Sequence, residues 1–152
     1  MASFEMSRST MINAPADRVH ALLNDFRAWQ RWSPWEGLDP DLRRTFTGPA
    51  TGVGSHYAWA GNKQAGEGTM EITESTPTSV AIDLEFLKPF KASNVTAFDL
   101  TEAGSGTTRV NWTMTGTRGV IMGLMGKLFF NKAIGKDFDK GLAQLKAAAE
   151  AR

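Results

Sequence analysis

The chain has 152 residues, a net charge of +1 from 17 Lys and Arg against 16 Asp and Glu, and no cysteine. The balanced charge argues against a broad basic surface for nucleic acid or an anionic membrane, and the lack of cysteine excludes disulfides, thiolate metal sites and a cysteine nucleophile. With 41% hydrophobic and 22% charged residues, the composition is that of a globular protein, and we expect one domain over 1–152.

The first predicted elements are a strand over 4–12 and a helical region over 15–31. Pro15 suits the first position of a helix, where its missing N–H costs nothing. Apolar residues then recur at helical spacing, at Val19, Leu22, Leu23 and Phe26. The region is therefore one helix or two short helices, with a break near Asn24-Asp25. Proline and glycine predict a loop over 33–41.

Beyond this loop the hydrophobic period changes to two, which is typical of strands. Six strands are predicted, near 42–48, 54–60, 67–75, 79–87, 92–102 and 107–115. Short connections that contain glycine, proline or asparagine favour hairpins and an antiparallel meander. A helical period returns over 120–149. The order predicts an α+β fold, in which the long C-terminal helix covers one face of a seven-stranded antiparallel sheet and the helical region follows the first strand.

Location and assembly are predicted from the ends and from the longest apolar run. The N-terminal residues lack the basic and apolar regions of a signal peptide. The longest apolar run, over 119–130, is shorter than the roughly 20 residues of a membrane-spanning helix. We therefore expect a cytoplasmic protein without stable membrane insertion, either a monomer or a weak homodimer.

Few residues have the spacing of a catalytic or cofactor site. His20 and His56 fit no metal-binding motif, and His20 is expected to be solvated on the polar side of the first helix. Ser55 and His56 are neighbours, but successive side chains of a strand point to opposite faces, so they cannot form a nucleophile–base pair there. Phosphate-loop and dinucleotide motifs are absent. We expect no metal and no other cofactor.

Large apolar side chains are abundant, with five tryptophans, nine phenylalanines and seven methionines. Any one of them is more often part of a core than of a ligand site. As a set they admit a second interpretation, because one helix cannot easily cover the whole concave face of seven strands. The uncovered part would then be a pocket for an apolar molecule, lined by flat and flexible side chains.

The pattern as a whole resembles the START-like (SRPBCC) superfamily, in particular its polyketide cyclase/dehydrase-like branch. The matching segments are Ile12-Asn13-Ala14-Pro15, Trp32-Ser33-Pro34-Trp35, Gly52-Val53-Gly54, Tyr57-Ala58-Trp59-Ala60-Gly61-Asn62, Gly66-Glu67-Gly68-Thr69-Met70-Glu71-Ile72, Pro89-Phe90, Gly106-Thr107-Thr108-Arg109-Val110-Asn111-Trp112 and Ile134-Gly135-Lys136-Asp137-Phe138. The resemblance covers nearly the whole chain. It implies the helix-grip fold and leaves the activity open, because the superfamily includes cyclases, lipid carriers, receptors and chaperone activators.

Three functions remain open. The first is binding of a lipid, polyketide or aromatic metabolite between the sheet and the last helix. Its predicted contacts are Trp35, Tyr57, Trp59, Met70, Phe86, Asn94, Phe98, Trp112, Met125 and Phe129. The second is a cyclase or dehydratase that uses the same cavity, with Glu67, His56 or Tyr57 as the acid–base group. The third is a chaperone-activator-like interaction module with an exposed apolar patch in 119–130. Separately, the glycines of the same stretch admit a mobile gate.

Overall fold

The computed structural model describes residues 3–33, 40–62, 66–88, 92–117 and 127–151, with side chains over 5–33, 40–62, 66–87, 93–115 and 136–151. Its elements in chain order are β1 (Ser3–Ile12), α1 (Ala16–Leu23), a 3₁₀ helix (Ala28–Arg31), β2 (Arg43–Thr47), β3 (His56–Ala60), β4 (Glu67–Thr76), β5 (Ser79–Lys88), β6 (Ala92–Glu102), β7 (Thr108–Thr117) and α2 (Lys127–Glu150). Each strand begins and ends within two residues of its predicted bounds.

The strands form one antiparallel sheet in the order β1-β7-β6-β5-β4-β3-β2. Strands β2 to β7 follow one another as a meander, and β1 returns to pair with β7 along its whole length, from Ser3 opposite Thr117 to Ile12 opposite Thr108. Register shifts interrupt the β4–β5 ladder at Glu67/Gly68 and at Ile72/Glu74. Such bulges bend and twist a strand. The α+β helix-grip architecture is confirmed.

The helical region after β1 consists of two short helices. The indoles of Trp29 and Trp32 cap the C-terminal end of the first helix. Trp29 Nε1 donates a hydrogen bond to the Leu23 carbonyl and Trp32 Nε1 donates one to the Leu22 carbonyl, each at 3.0 Å. These carbonyls belong to the last turn of α1 and have no partner within the helix. Asn24 is the C-cap, so the predicted break lies at the observed position.

Two details of this region differ from the sequence-based expectation. Pro15 is the N-cap of α1 and precedes the first helical residue. His20 is half-buried rather than solvated, because α1 packs against the β4–β5 hairpin and brings His20 Nε2 within 3.3 Å of Ser75 Oγ. The same hydroxyl donates to Asn24 Oδ1 at 2.6 Å. His20 therefore helps to pin α1 to the sheet.

Helix α2 lies over one side of the sheet. Its described residues contact β1, α1 and the 3₁₀ helix, and its buried side chains are Phe138, Leu142, Leu145 and Ala149. Gln144 Nε2 donates to the carbonyls of Trp32 at 2.6 Å and Ser33 at 3.2 Å, which ties α2 to the 3₁₀ helix. The predicted part of this helix over 120–126 lies outside the described residues.

Candidate functional site

The concave face of the sheet is the face that carries α2, and Trp112 identifies it. The Trp112 ring stacks on Phe138 of α2, with centroids 4.0 Å apart and an interplanar angle of 7°. Because side chains alternate between the two faces and the register is known for every strand pair, each other residue of the sheet can be assigned to a face.

One part of the concave face is a closed aromatic core. Phe98 and Trp112 are 0% and 1% exposed, and their ring centroids lie 4.9 Å apart. Trp32 meets both rings edge-on, at 5.9 and 5.7 Å. Trp112 Nε1 donates to Thr96 Oγ1 at 2.7 Å, which satisfies the indole. The structure thus places two of the predicted ligand contacts, Phe98 and Trp112, inside the packed core.

Toward β2 the same face carries a second group of large side chains, which we call the platform. The platform consists of two rows across the strands, Phe46, Tyr57, Met70, Leu84 and Asn94 in one and Arg44, Trp59, Gly68 and Phe86 in the other. Phe46, Trp59 and Phe86 are only partly buried. Tyr57, Met70 and Asn94 keep 7–8% exposure, whereas Ile72 and Ile82 in the adjacent row are fully buried. Tyr57, Met70 and Leu84 therefore still belong to the buried core, and the face opens at Phe46, Trp59 and Phe86.

The rings of the platform form a continuous surface. Tyr57 and Trp59 are nearly parallel, at 19° with centroids 6.0 Å apart, and Phe86 meets Trp59 edge-on at 5.9 Å. Phe46 lies 5.1 Å from Tyr57. Gly68 allows this arrangement, because a Cβ there would lie only 2.5 Å from Trp59 Cη2. The indole thus lies directly over the glycine backbone.

Two polar side chains accompany the platform. Asn94 is 8% exposed and lies at the end of the first row, opposite Leu84. Arg44 is half-buried beside Trp59, and its Nε atom is screened from solvent. The predicted contacts Tyr57, Trp59, Met70, Phe86 and Asn94 are therefore brought together, with Arg44 and Phe46 as additions.

The predicted acid–base groups are not brought together. His56 precedes Tyr57 on β3 and pairs with Glu71, which places it on the convex face. Glu67 pairs with Ala60 and also lies on the convex face, opposite to Gly68 and Trp59. Tyr57 alone of the three belongs to the platform. No group of three His, Asp or Glu residues with metal-binding geometry occurs among the residues that the structure describes.

Several predicted residues lie outside this description. The structure does not describe the side chains of Trp35, Met125 and Phe129. It also does not describe those of the predicted patch or gate in 119–130. Sequence reasoning also missed an open cleft of about 400 Å³ between the 3₁₀ helix and α2. It is lined by Gln30, Arg31, Trp32, Ser33, Gln144, Ala147 and Ala148. Alanines and a glutamine give no sequence signal for a cleft.

A further observation concerns membranes. Over the described residues, no helix combines the length and apolar character needed to cross a bilayer.

The fold is shared with solved structures of low sequence identity. Protein CV1439 from Chromobacterium violaceum is 15% identical, with a TM-score of 0.69 over 97% of this chain and 99% of that one. A protein of unknown function, SA2116 from Staphylococcus aureus, is 9% identical, with a TM-score of 0.74 over 98% and 94%. The Aha1 dimer from Colwellia psychrerythraea is 18% identical, with a TM-score of 0.64 over 97% and 96%. The TM-scores establish a common fold, and at identities this low they establish nothing beyond the fold.

Comparison of the sequence with family profiles identifies the family of this chain. A search of curated protein sequences finds no match to the chain. The sequence profile of the family described as polyketide cyclase / dehydrase and lipid transport matches residues 1–150. That match covers every strand and helix of the fold, including the platform and the closed core. The chain therefore belongs to the polyketide cyclase/dehydrase and lipid transport family.

Proposed function

We propose that the protein binds a hydrophobic small molecule, such as a lipid, a polyketide or an aromatic metabolite, against the platform. The observation that carries this proposal is the contrast within one face of the sheet. Phe98 and Trp112 are closed off by Trp32 and Phe138, whereas Trp59 and Phe86 remain partly exposed. Large apolar side chains left open on a concave surface are typical of ligand sites.

The chemistry of the platform supports the same proposal. Aromatic rings and Met70 provide a broad apolar surface, while Arg44 and Asn94 provide a small number of polar groups. Ligand sites commonly combine mostly apolar walls with a few polar groups that orient the ligand. The family description, which includes lipid transport, is in accord with an apolar ligand.

Binding without turnover has more support than catalysis. An acid–base mechanism needs a group within hydrogen-bond reach of the reacting atoms. His56 and Glu67 lie on the convex face, so Tyr57 is the remaining candidate of the three on the platform. A cyclase or dehydratase would have to rely on Tyr57 or on groups other than those three. We therefore propose a carrier or binding protein.

Binding of a neutral fluorophore tests the proposal. N-phenyl-1-naphthylamine carries no charge, and we expect its fluorescence to rise when it enters the apolar site of the wild-type protein. Trp59→Asp is expected to abolish the rise, because it removes the indole and places a charged carboxylate on the apolar surface of the platform. Ala60→Asp is the matched control, since it introduces the same group at the next residue but on the convex face.

Thermal unfolding followed by circular dichroism shows whether each variant is folded. If Trp59→Asp does not fold, Trp59→Leu removes the ring without adding charge and is expected to weaken binding of the fluorophore. The proposal is overturned if the wild-type protein does not bind the fluorophore. It is equally overturned if Ala60→Asp, while folded, weakens binding as much as the change at Trp59.

A further inference from the structure

The cleft between the 3₁₀ helix and α2 is a concavity separate from the platform. Its volume of about 400 Å³ lies within the range of about 300–1,000 Å³ that is usual for small-molecule sites. The residues that line it are all different from those of the platform. On the α2 side the lining side chains include Ala147 and Ala148, and longer side chains at these positions would fill the space. The cleft therefore has room for a small molecule.

The wall on the side of the 3₁₀ helix carries a positive charge. Arg31 is exposed, and it is the one charged side chain among the described residues that line the cleft. Its guanidinium makes no ion pair with any described residue. The planar fork of arginine donates two parallel hydrogen bonds to a carboxylate. This wall is therefore suited to the carboxylate of a ligand.

The wall on the side of α2 offers a hydrogen-bond acceptor in a fixed position. Gln144 lines the cleft, and its Nε2 donates to the carbonyls of Trp32 at 2.6 Å and Ser33 at 3.2 Å. An amide nitrogen has two hydrogens, so both are used and the orientation of the side chain is determined. The other polar atom of the amide, Oε1, can only accept a hydrogen bond. A ligand group that binds Gln144 must therefore be a donor.

The helix dipole gives the same wall a partial negative charge. Ala147 and Ala148 lie in the last turn of α2, which ends at Glu150. The carbonyl groups at the C-terminal end of a helix attract cations. One cation of the chain already binds at this end, since Arg18 Nη1 donates to the Ala149 carbonyl at 3.2 Å. The α2 wall therefore favours a positively charged donor, whereas the opposite wall favours an anion.

We propose that the cleft binds a small zwitterion, such as a free α-amino acid with an apolar side chain. The carboxylate binds Arg31, the ammonium group donates to Gln144 Oε1, and the apolar side chain lies on Ala147 and Ala148. This site does not depend on the platform or on the function proposed for it. Hydrogen bonds to charged groups are stronger than neutral ones, so loss of either charge from the ligand should weaken binding about tenfold.

Titration of ¹⁵N-labelled protein with L-leucine, followed by NMR, tests the proposal. The expected shift changes are at the Gln144 side-chain amide and at the backbone N–H groups of Ala147 and Ala148. L-leucinamide lacks the carboxylate and N-acetyl-L-leucine lacks the ammonium group, so each should bind about tenfold more weakly than L-leucine. Arg31→Met should remove the preference for L-leucine over L-leucinamide. Arg43→Met, at an exposed arginine on the convex face, is the matched control and should keep it.

A second pair of variants tests the position of the site without a change of charge. Ala143 and Ala147 are exposed alanines one turn apart on α2, and of the two Ala147 alone lines the cleft. Ala147→Leu fills the cleft and should abolish binding of L-leucine, whereas Ala143→Leu should bind it as the wild-type protein does. Circular dichroism shows that each variant is folded.

Several results would overturn the proposal. One is that the wild-type protein does not bind L-leucine, or binds both single-charge analogues as tightly. Another is that Arg31→Met keeps the preference for L-leucine, or that Ala147→Leu and Ala143→Leu bind it equally well. Displacement of N-phenyl-1-naphthylamine by L-leucine would place the zwitterion on the platform, and it would refute a separate site in the cleft.

Discussion

Gly68 determines the shape of the platform, and Gly68→Ala tests that role. A Cβ at this position would collide with the backbone carbonyl oxygen of Glu85, and it would lie 2.5 and 2.7 Å from Trp59 Cη2 and Cζ2. Gly68 is not among the glycines with positive φ, so the cost of the substitution is steric. The carbonyl is held in the β4–β5 ladder. We therefore expect the indole of Trp59 to be displaced from the surface of the sheet.

The magnitude follows from the crowding. An added carbon in a packed site costs about 1–3 kcal/mol. For a domain of this size each kcal/mol lowers the Tm by about 2–4 °C, so the expected loss is about 2–12 °C. Displacement of the ring also removes part of the surface on which we place the ligand. Binding of N-phenyl-1-naphthylamine should therefore weaken together with the Tm.

A double-mutant cycle identifies the collision partner. Trp59→Phe removes the two indole atoms nearest to the new methyl group, so Gly68→Ala should cost less in the Trp59→Phe background than in wild type. Thermal unfolding by circular dichroism measures all four proteins. The reasoning is refuted if Gly68→Ala leaves the Tm and fluorophore binding unchanged, or if its effect is the same in both backgrounds.

Three further predictions concern the rest of the fold. Phe138→Ala should lower stability by about 3–5 kcal/mol in denaturant unfolding, because the ring is fully buried; a loss below 1 kcal/mol would contradict its assignment to the core. Asn94→Leu replaces a polar group at the end of the first row by an apolar one and should tighten binding of N-phenyl-1-naphthylamine; weaker or unchanged binding would contradict the place of Asn94 at the site. Hydrogen bonds from Lys146 Nζ and the Asn13 backbone N–H lower the pKa of Glu150. The stabilisation that the ionised Glu150 provides is therefore present at neutral pH and is lost as pH falls through the lowered pKa. Glu150→Gln should reduce the Tm at pH 7 and make little difference at pH 3. An equal reduction at both pH values would contradict this linkage.

The elements were predictable because each has one dominant period. Alternation over β2 to β7 and helical spacing in α1 and α2 reflect which side of each element meets the core. The two indole caps explain the end of α1, but their partners lie six and ten residues away. The spacing of apolar residues therefore predicted a break near Asn24, but it did not show that the two indoles cap the helix there.

The division of the concave face was not predictable from alternation. Trp59 and Trp112 occupy equivalent positions in amphipathic strands, yet one is partly exposed and the other is closed off. The difference comes from Trp32 and Phe138, which reach Trp112 from remote parts of the chain. The strand phase, by contrast, does place His56 opposite to Tyr57, and it would also have included Arg44 with Phe46 on the concave face.

The pairing of β1 with β7 has a consequence for synthesis of the chain. In the described sheet β1 has one neighbour, β7, which is made almost a hundred residues later. At about 5–20 residues per second, β1 waits on the order of 5–20 s on the ribosome before its partner exists. The Ser7-Arg8-Ser9-Thr10 segment gives this waiting strand a polar, charged middle, which makes it a poor template for association with other nascent chains. The polar middle of β1 is thus expected to limit its association with other chains before the sheet can close.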